Sequence, residues 1–233
     1  MGKGNRWITI YEDIREQILN GKLKPGAEIP TNLELSTKYK VHTGTIQTAI
    51  KALIQDGLII SKGKKSPRTV RIKPTRSKRS GGFSSDHENQ ARKKVLALEI
   101  LDQNLPIPLQ KYKEALYYHT EQFLNENLVA ISRSYIPDTV PLQDLHQLLN
   151  KKPSASLYQS LEQFGHKPTT CKESLVAEIA SRSDKVELHL PESINIPIVR
   201  IERKVYDQHD QLIELCFITC HADYYLFDYE FKF

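Results

Sequence analysis

The sequence predicts an α+β protein built from two parts, and three observations support this prediction. Residues 8–57 repeat apolar side chains at helical spacing, whereas residues 198–220 alternate apolar and polar side chains as an antiparallel hairpin does. The charge also changes along the chain: residues 1–80 hold 17 Lys and Arg against 6 Asp and Glu, and residues 81–233 hold 16 against 22. A basic first third suits a polyanionic partner, and the acidic remainder does not.

Two helices are predicted before residue 40. Apolar spacing predicts a first helix from about Ile8 to Leu19, which the turn residues of NGKLKPG end. Thr31 followed three residues later by Glu34 is a capping-box pattern, in which the two residues satisfy free N–H groups at a helix start. This second helix is expected to end near Tyr39.

The stretch YKVHTGTIQTAIKALIQDGLI, residues 39–59, predicts a third helix after a tight turn. Its apolar face consists of Ile46, Ala49, Ile50 and Leu53, and Gly57 is the expected stop. Thr43 is a candidate for the residue that caps its start. Two short helices joined in this way form a helix-turn-helix.

A hairpin and a linker are predicted next. LIISK and RTVRIK are β-branched runs on either side of GKKSP, which indicates two strands with a cationic tip. Residues 74–90 lack periodicity, and no acidic residue occurs from 61 to 85. We therefore predict domains at residues 1–73 and 91–233, joined by a basic linker at 74–90.

The second part has the pattern of an antiparallel sheet with flanking helices. KVLALEIL and LVAISRSYIP indicate strands, SASLYQSLEQFG indicates a helix with a glycine stop, and residues 198–220 indicate a long hairpin around DQHDQ. Strands that run mostly in hairpins, with helices set apart from them, are typical of the α+β class.

Several classes of protein are excluded by what the sequence lacks. No apolar run is long enough to span a membrane and no signal segment follows Met1, so we expect a cytoplasmic protein. The spacing of Cys216 and Cys220 in CFITC is not that of a zinc knuckle, which favours reduced thiols. No nucleophile with a base, glycine-rich phosphate loop or metal-spaced histidine pair is present. We expect no catalytic residues, no metal and no cofactor.

Residues 14–63, from IREQILNGKLKPGAEIP to the glycine of LIISKG, resemble the winged helix-turn-helix of GntR-type bacterial repressors. SRSYIP, SLYQSLEQFG and IPIVRIERKVYDQHDQLIELCFITCHADYYLF are similar, in order, to the UTRA effector domain of the HutC subfamily. The resemblance implies a chorismate-lyase-like antiparallel sheet domain with flanking helices. It also implies a homodimer and a small-molecule effector of unknown identity that changes DNA affinity.

By the same resemblance the third helix enters the major groove of double-stranded DNA. The serine and arginine that open this helix in the family are here His42 and Thr43, so backbone N–H groups, threonines and Gln47 are left to meet phosphates and adenine. The missing cations occur in the hairpin tip, although such a run is also typical of a solvated face. The predicted DNA-binding residues are Thr31, Asn32, His42, Thr43, Gly44, Thr45, Gln47, Thr48, Lys51, Lys62, Gly63, Lys64, Lys65 and Arg68.

The predicted effector-binding residues are Arg133, Ser156, Tyr158 and Glu214. The resemblance supplies Ser156, Tyr158 and Glu214, whereas the arginine pair of phosphosugar-binding relatives has no counterpart in HTEQFLNENL. Each residue also has an alternative interpretation without a ligand. In these alternatives Arg133 is an exposed alternating position, Tyr158 serves only in packing, and Glu214 pairs across the hairpin with Arg200 or Arg203.

Three functions fit these observations. The leading one is a dimeric repressor that binds an inverted repeat and responds to a small molecule. A second is a DNA-binding protein whose second domain only dimerises. A third is a lyase-like enzyme fused to a DNA-binding domain, which rests on fold analogy alone.

Overall fold

The structure is a computed structural model of the chain and describes residues 6–61, 66–73, 77–79, 91–124, 126–228 and 230. It divides into two compact units: residues 1–74 with 191–196, and residues 75–190 with 197–233. The boundaries predicted at residues 73 and 91 stay a prediction, because most of the proposed linker lies outside the described residues.

The first unit contains three helices and a two-stranded antiparallel hairpin within its described part. Its elements are α1 (Arg6–Leu19), α2 (Asn32–Tyr39), α3 (Thr43–Gln55), β1 (Ile59–Ser61) and β2 (Arg68–Val70). These elements match the predicted helices and strands, and α1 begins two residues before the predicted start. The fold is a winged helix-turn-helix.

Local signals in the sequence set the ends of α2. Thr31 accepts a hydrogen bond from the Glu34 backbone N–H at 3.3 Å, and the Glu34 carboxylate accepts one from the Thr31 backbone N–H at 2.7 Å. The predicted capping box is present. Lys40 then takes a left-handed conformation (φ 52°), which turns the chain toward α3.

The start of α3 differs from the sequence prediction. The capping position is occupied by His42, which makes no side-chain hydrogen bond to the helix, and Thr43 is the first helical residue. Thr43 as the cap is therefore wrong: the chain enters the helix one residue earlier than the preference of threonine for a capping position suggests. Gly57, at φ +64°, ends the helix as predicted, since this conformation favours glycine.

The core of the first unit is the apolar face predicted for α3. Ile46, Ala49 and Leu53 are fully buried and pack with Ile10 and Ile14 of α1. The opposite side of α3 is exposed. Burial of this face fixes the orientation in which the helix presents its polar side chains.

The second unit contains a six-stranded antiparallel sheet in the described part of the chain, in the order β4-β5-β6-β9-β8-β7. Its strands are β4 (Ala91–Leu101), β5 (Ala115–Leu124), β6 (Asn127–Pro137), β7 (Pro168–Ile179), β8 (Pro197–Asp207) and β9 (Leu212–His221). Its helices are α4 (Leu142–Lys151), α5 (Leu157–Gln163) and α6 (Arg182–Glu187). The predicted β8–β9 hairpin is confirmed. No prediction was made for β5, β7, α4 or α6.

A short strand falls inside the segment predicted to be a basic linker. β3 (Ser77–Arg79) pairs in parallel with β10 (Tyr225–Phe227). The predicted linker therefore contains a strand in its described part, and its boundaries stay a prediction. Parallel pairing with a strand so distant in sequence leaves no local pattern, which explains why the sequence did not indicate it.

Two apolar clusters lie at opposite ends of one face of the large sheet. The first cluster includes Leu116 of β5 and Val205 of β8, and the helices α4 and α5 cover it. The second includes Leu124 of β5 and Ile201 of β8. Polar side chains occupy the same face between the clusters, because residues two apart on a strand share a face. Among the described helices, none has the length and apolar character needed to cross a membrane.

Candidate DNA-binding surface and candidate effector site

The exposed side of α3 carries most of the residues predicted to bind DNA. His42, Thr43, Gly44, Gln47, Thr48 and Lys51 are exposed, and Thr45 is half-buried. The Thr48 hydroxyl donates to the Gly44 carbonyl at 3.1 Å, which holds its side chain against the helix. Gln47 and Lys51 extend from the same face one turn apart. The first turn also leaves backbone N–H groups for an anion.

Two predicted DNA-binding residues contact each other. Arg68 of β2 donates to the Asn32 side-chain oxygen at 2.7 Å and to the Pro30 carbonyl at 3.2 Å, which ties β2 to the start of α2. Burial lowers the pKa of the Arg68 guanidinium. An open cleft of ≈ 660 Å³ lies beside this pair and is also lined by Thr31 and Ser66. Lys62, Gly63, Lys64 and Lys65 lie outside the described residues.

The structure also indicates cations that the sequence analysis did not select. An open cleft of ≈ 550 Å³ at the turn between α2 and α3 is lined by Arg6, Lys40, His42 and Thr45, among others. Arg6 and Lys40 therefore flank the uncharged start of α3. Lys40 follows the last residue of α2, and its place next to the turn was the only sequence signal.

The polar residues between the two apolar clusters form a continuous surface across the sheet. We call it the polar belt, and it consists of Lys93, Tyr118, Thr120, Gln122, Ser132, Ser134, Tyr158, Glu173, Arg203, Glu214 and Cys216. Strand register places Tyr118, Ser134, Cys216, Arg203 and Glu173 directly opposite one another in turn. The belt therefore joins residues from all six strands, and Tyr158 reaches it from α5.

A hydrogen-bonded network occupies the centre of the belt. Glu214, 3% exposed, accepts from the Ser134 hydroxyl at 2.6 Å and from the Tyr158 hydroxyl at 2.7 Å. Arg203 donates to the Tyr158 oxygen at 3.1 Å and pairs with the Glu173 carboxylate at 2.6 Å. The Tyr158 hydroxyl thus links the carboxylate of Glu214 to the guanidinium of Arg203.

The electrostatics of this network follow from burial and mutual attraction. Burial, followed by the negative charge of Glu214, raises the pKa of Tyr158 well above its ordinary value, so the phenol stays protonated. Burial alone would lower the pKa of Arg203, but Tyr158, Glu173 and Glu214 outweigh it and raise that pKa. Burial also raises the pKa of Cys216 to about 12, so this residue is a neutral thiol.

The structure decides how the predicted effector residues are placed. Tyr158 and Glu214 meet in the belt, and Ser156 precedes α5, where its carbonyl accepts from the Ser160 hydroxyl at 2.9 Å. Arg133 lies on the opposite face of the sheet, because it alternates with Ser132 and Ser134, and it pairs with Glu187 at 2.8 Å. The geometry therefore separates Arg133 from the other three residues.

The pairing considered for Glu214 across the hairpin is also corrected. Arg200 faces away from the belt and pairs with Glu178 and Asp184 at 2.8 and 2.9 Å. Arg203 shares the face of Glu214, yet its ion pair is with Glu173. Arg200 and Arg203 are an odd number of positions apart on β8, so their side chains lie on opposite faces of the sheet.

The side of the belt nearest β4 differs from its centre. Lys93 lies opposite Gln122, and its ammonium donates to the Ala155 carbonyl at 2.7 Å and lies 5.9 Å from the centre of the Tyr118 ring. Burial lowers the pKa of Lys93. The hydroxyl of Tyr118 and the side-chain oxygen of Gln122 are buried and have no hydrogen-bond partner in the described part of the structure.

Most residues of the polar belt were not predicted from the sequence. Tyr118, Thr120 and Gln122 alternate with Tyr117, His119 and Glu121 in a strand where both faces hold polar groups, so the pattern did not indicate a buried face. Ser132 and Ser134 were visible only as neighbours of Arg133. Their spacing of two residues from Ala130 and Ile136, which places all four on one face of the strand, was the available signal.

A winged helix-turn-helix, together with a sheet domain that buries a polar and partly unsatisfied face, defines a DNA-binding regulator that senses a small molecule. Residues 8–68 match the family model of the bacterial regulatory proteins of the gntR family, and residues 113–225 match the UTRA domain. The chain therefore belongs to the GntR-type transcriptional regulators and carries their DNA-binding domain followed by a UTRA domain. It is a regulator and not an enzyme.

Relatives align along nearly the whole chain. It is 24% identical over 227 residues to the protein of Escherichia coli (strain K12) named "Probable fructoselysine utilization operon transcriptional repressor", covering 93% of this chain and 90% of that protein. It is 22% identical over 232 residues to the repressor NagR of Bacillus subtilis (strain 168), covering 95% and 92%. A solved GntR-family regulator aligns with a TM-score of 0.68 and 17% identity over 99% of both chains, which supports the fold.

Proposed function

We propose that this regulator is a homodimeric repressor that binds an inverted-repeat operator and releases it when a small molecule occupies the polar belt. The observation that carries the proposal is the buried network of Glu214, Tyr158 and Arg203 between two apolar clusters. Burying such a network in the middle of a sheet face costs free energy, because the polar groups lose their hydrogen bonds to water. Its presence there therefore favours a role in binding. A ligand that exchanges hydrogen bonds with it changes the packing of the sheet face.

Repression is supported by the names of two relatives, and a homodimer would suit an inverted-repeat operator. Two relatives are named as repressors, which is the sense of regulation we propose here. A dimer with two-fold symmetry presents two copies of α3 to two half-sites one helical turn apart or a multiple of it. We also propose that the protein acts in the cytoplasm, where a bacterial operator is found.

We propose that base recognition depends on Gln47, because it is the exposed amide on the groove-facing side of α3. An amide can bond to adenine through both its oxygen and its nitrogen. We expect Gln47→Ala to reduce discrimination between the operator and a half-site with one changed base by about 1–3 kcal/mol. Fluorescence anisotropy titrations on both duplexes measure this difference.

The controls separate base recognition from charge. Gln55→Ala, at the exposed far end of α3, should leave discrimination unchanged. Lys65→Ala should weaken binding to all duplexes and reduce the salt slope by about 1, because one phosphate contact is lost. If the ratio of the affinities for the two duplexes is the same for Gln47→Ala as for the unmodified protein, Gln47 does not recognise the operator.

The effector site is tested by Tyr158→Phe, which removes one hydroxyl and keeps the ring. The change leaves Glu214 with one donor fewer and breaks its link to Arg203. A hydrogen bond to a charged group is worth about 1.5–3 kcal/mol, so the effector concentration for half-release of the operator should rise roughly tenfold or more. A metabolite screen by operator release supplies the effector for this titration.

Tyr135→Phe is the matched control for this titration, since Tyr135 is on the opposite face of the sheet, where its ring contacts Tyr117 and Phe217. It should respond to the effector as the unmodified chain does. If no metabolite releases the operator from the unmodified chain, the second domain serves dimerisation alone and the proposal fails.

A further inference from the structure

The side of the polar belt nearest β4 contains unsatisfied groups that need a partner. The side chains of Tyr118 and Gln122 are 3% and 6% exposed, and the Tyr118 hydroxyl and the Gln122 side-chain oxygen have no hydrogen-bond partner among the described residues. A buried polar group without a partner destabilises the fold, because it has lost its hydrogen bonds to water. Two such groups on one strand face, two positions either side of Thr120, indicate a place where a bound molecule completes the hydrogen bonds.

Lys93 adds a positive charge at the same place. It lies opposite Gln122 on the neighbouring strand, and its ammonium is close to the Tyr118 ring. One of its three N–H groups is used by the Ala155 carbonyl, which leaves two for another acceptor. In the described structure Lys93 makes no ion pair, whereas the next residue, Lys94, pairs with Glu121 at 3.0 Å on the opposite face.

The charges of the belt are distributed unevenly across the sheet. Arg203 is neutralised by Glu173, and Glu214 is bound by two hydroxyl donors near the middle. Lys93 is therefore the cation of the belt that lacks a carboxylate partner among the described residues. A molecule bound along the belt would therefore find its best partner for a negative group at Lys93, and acceptors for its hydrogen-bond donors at Gln122 and Glu214.

We infer that Lys93, Tyr118 and Gln122, here called the lysine subsite, bind a small carboxylate that carries hydroxyl groups. The carboxylate accepts from the Lys93 ammonium and the Tyr118 hydroxyl, and a hydroxyl of the ligand donates to the Gln122 oxygen. This inference rests on the proposed function, because it names the chemistry of the effector that the polar belt takes.

The number of charges favours a carboxylate over a phosphate. One ammonium balances one negative charge, whereas a phosphate ester carries close to two near neutral pH. The additional charge would lie in the same buried belt as Glu214, with no second free cation among the described belt residues. A neutral sugar would leave Lys93 without a counter-charge.

The test compares matched compounds on the full chain. Glycerate and gluconate are the carboxylates, glycerol 3-phosphate and glucose 6-phosphate are the phosphates, and glycerol and glucose are the neutral compounds. We expect at least one of the carboxylates to bind by isothermal titration calorimetry and to release the operator, and the other compounds to bind more weakly. Lys93→Gln should weaken binding of that carboxylate roughly tenfold or more, because a charge-assisted hydrogen bond is lost.

Two further variants make the result specific. Lys93→Arg keeps the charge and should recover part of the affinity, whereas Lys94→Gln removes a charge from the opposite face and should change affinity less than twofold. Release of the operator by a phosphate or a neutral sugar, but by no carboxylate, would overturn the lysine subsite and leave the proposed function intact. Equal binding of the carboxylate by the unmodified chain and Lys93→Gln would overturn it as well. If none of these compounds binds, the inference is wrong, while the response to Tyr158→Phe still tests the proposed function.

Discussion

Leu53→Ala is expected to abolish operator binding by unfolding the first unit. The Leu53 side chain is fully buried and belongs to the cluster that joins α3 to α1. Removal of a buried leucine side chain costs about 2–5 kcal/mol, because the lost burial adds to an unfilled cavity. A domain of this size has a free energy of unfolding of only a few kcal/mol, so the loss is comparable to the whole.

The single tryptophan of the chain reports this unfolding. Trp7 lies on α1 and packs against the same cluster, so its fluorescence in a urea titration follows the first unit. Leu33→Ala, at a side chain of α2 that is 71% exposed, is the control and should change the midpoint little. A Leu53→Ala protein with an unchanged midpoint would contradict the burial of this residue.

The second large effect is expected for Arg203→Met, which removes the buried cation at the centre of the polar belt. The Arg203 side chain is 7% exposed and pairs with Glu173, and the Glu214 charge is linked to it through Tyr158. Removal of one partner of a buried ion pair costs about 3–5 kcal/mol, because the remaining charge stays desolvated. Circular dichroism of the sheet during urea denaturation measures the loss.

Lys204→Met separates this effect from a general loss of positive charge. Lys204 is the next residue on β8, faces the opposite side and pairs with Glu202 at 2.7 Å with both side chains about a third or more exposed. An exposed pair of this kind contributes about 0–1 kcal/mol, so the sheet should unfold near the original urea concentration. The urea midpoint reported by Trp7 fluorescence, which follows the first unit, should be the same in Arg203→Met as in the unmodified chain. Equal losses of stability for the two variants would show that the Arg203 ion pair contributes no more than the exposed Lys204 pair.

The DNA-binding unit could be predicted from sequence nearly in full. Its helices carry apolar residues at one strict period, α2 has a capping box, and Gly57 ends α3, so local preference and burial agree. The exception is the cap of α3. Thr43 has the stronger local preference, yet the turn after Lys40 places His42 at that position.

The sheet domain could be predicted only where a strand alternates clearly or ends in a marked turn. The β8–β9 hairpin satisfies both conditions and was found. β7 was missed because it is an edge strand with mostly exposed side chains, and β5 because polar groups occur on both of its faces. Apolar alternation is the signal that a sequence offers, and neither strand has it.

The sequence by itself determined the winged helix-turn-helix, the antiparallel hairpin and the presence of Tyr158 and Glu214 in the second domain. The tertiary structure alone decided which polar residues meet. Membership of the polar belt depends on the register of six strands, since a shift of one residue moves a side chain to the other face. That register places Lys93 beside Tyr118 and Gln122, and it places Arg133 on the opposite face with Glu187. Such pairings depend on contacts between segments far apart in the chain, which no local pattern of residues specifies.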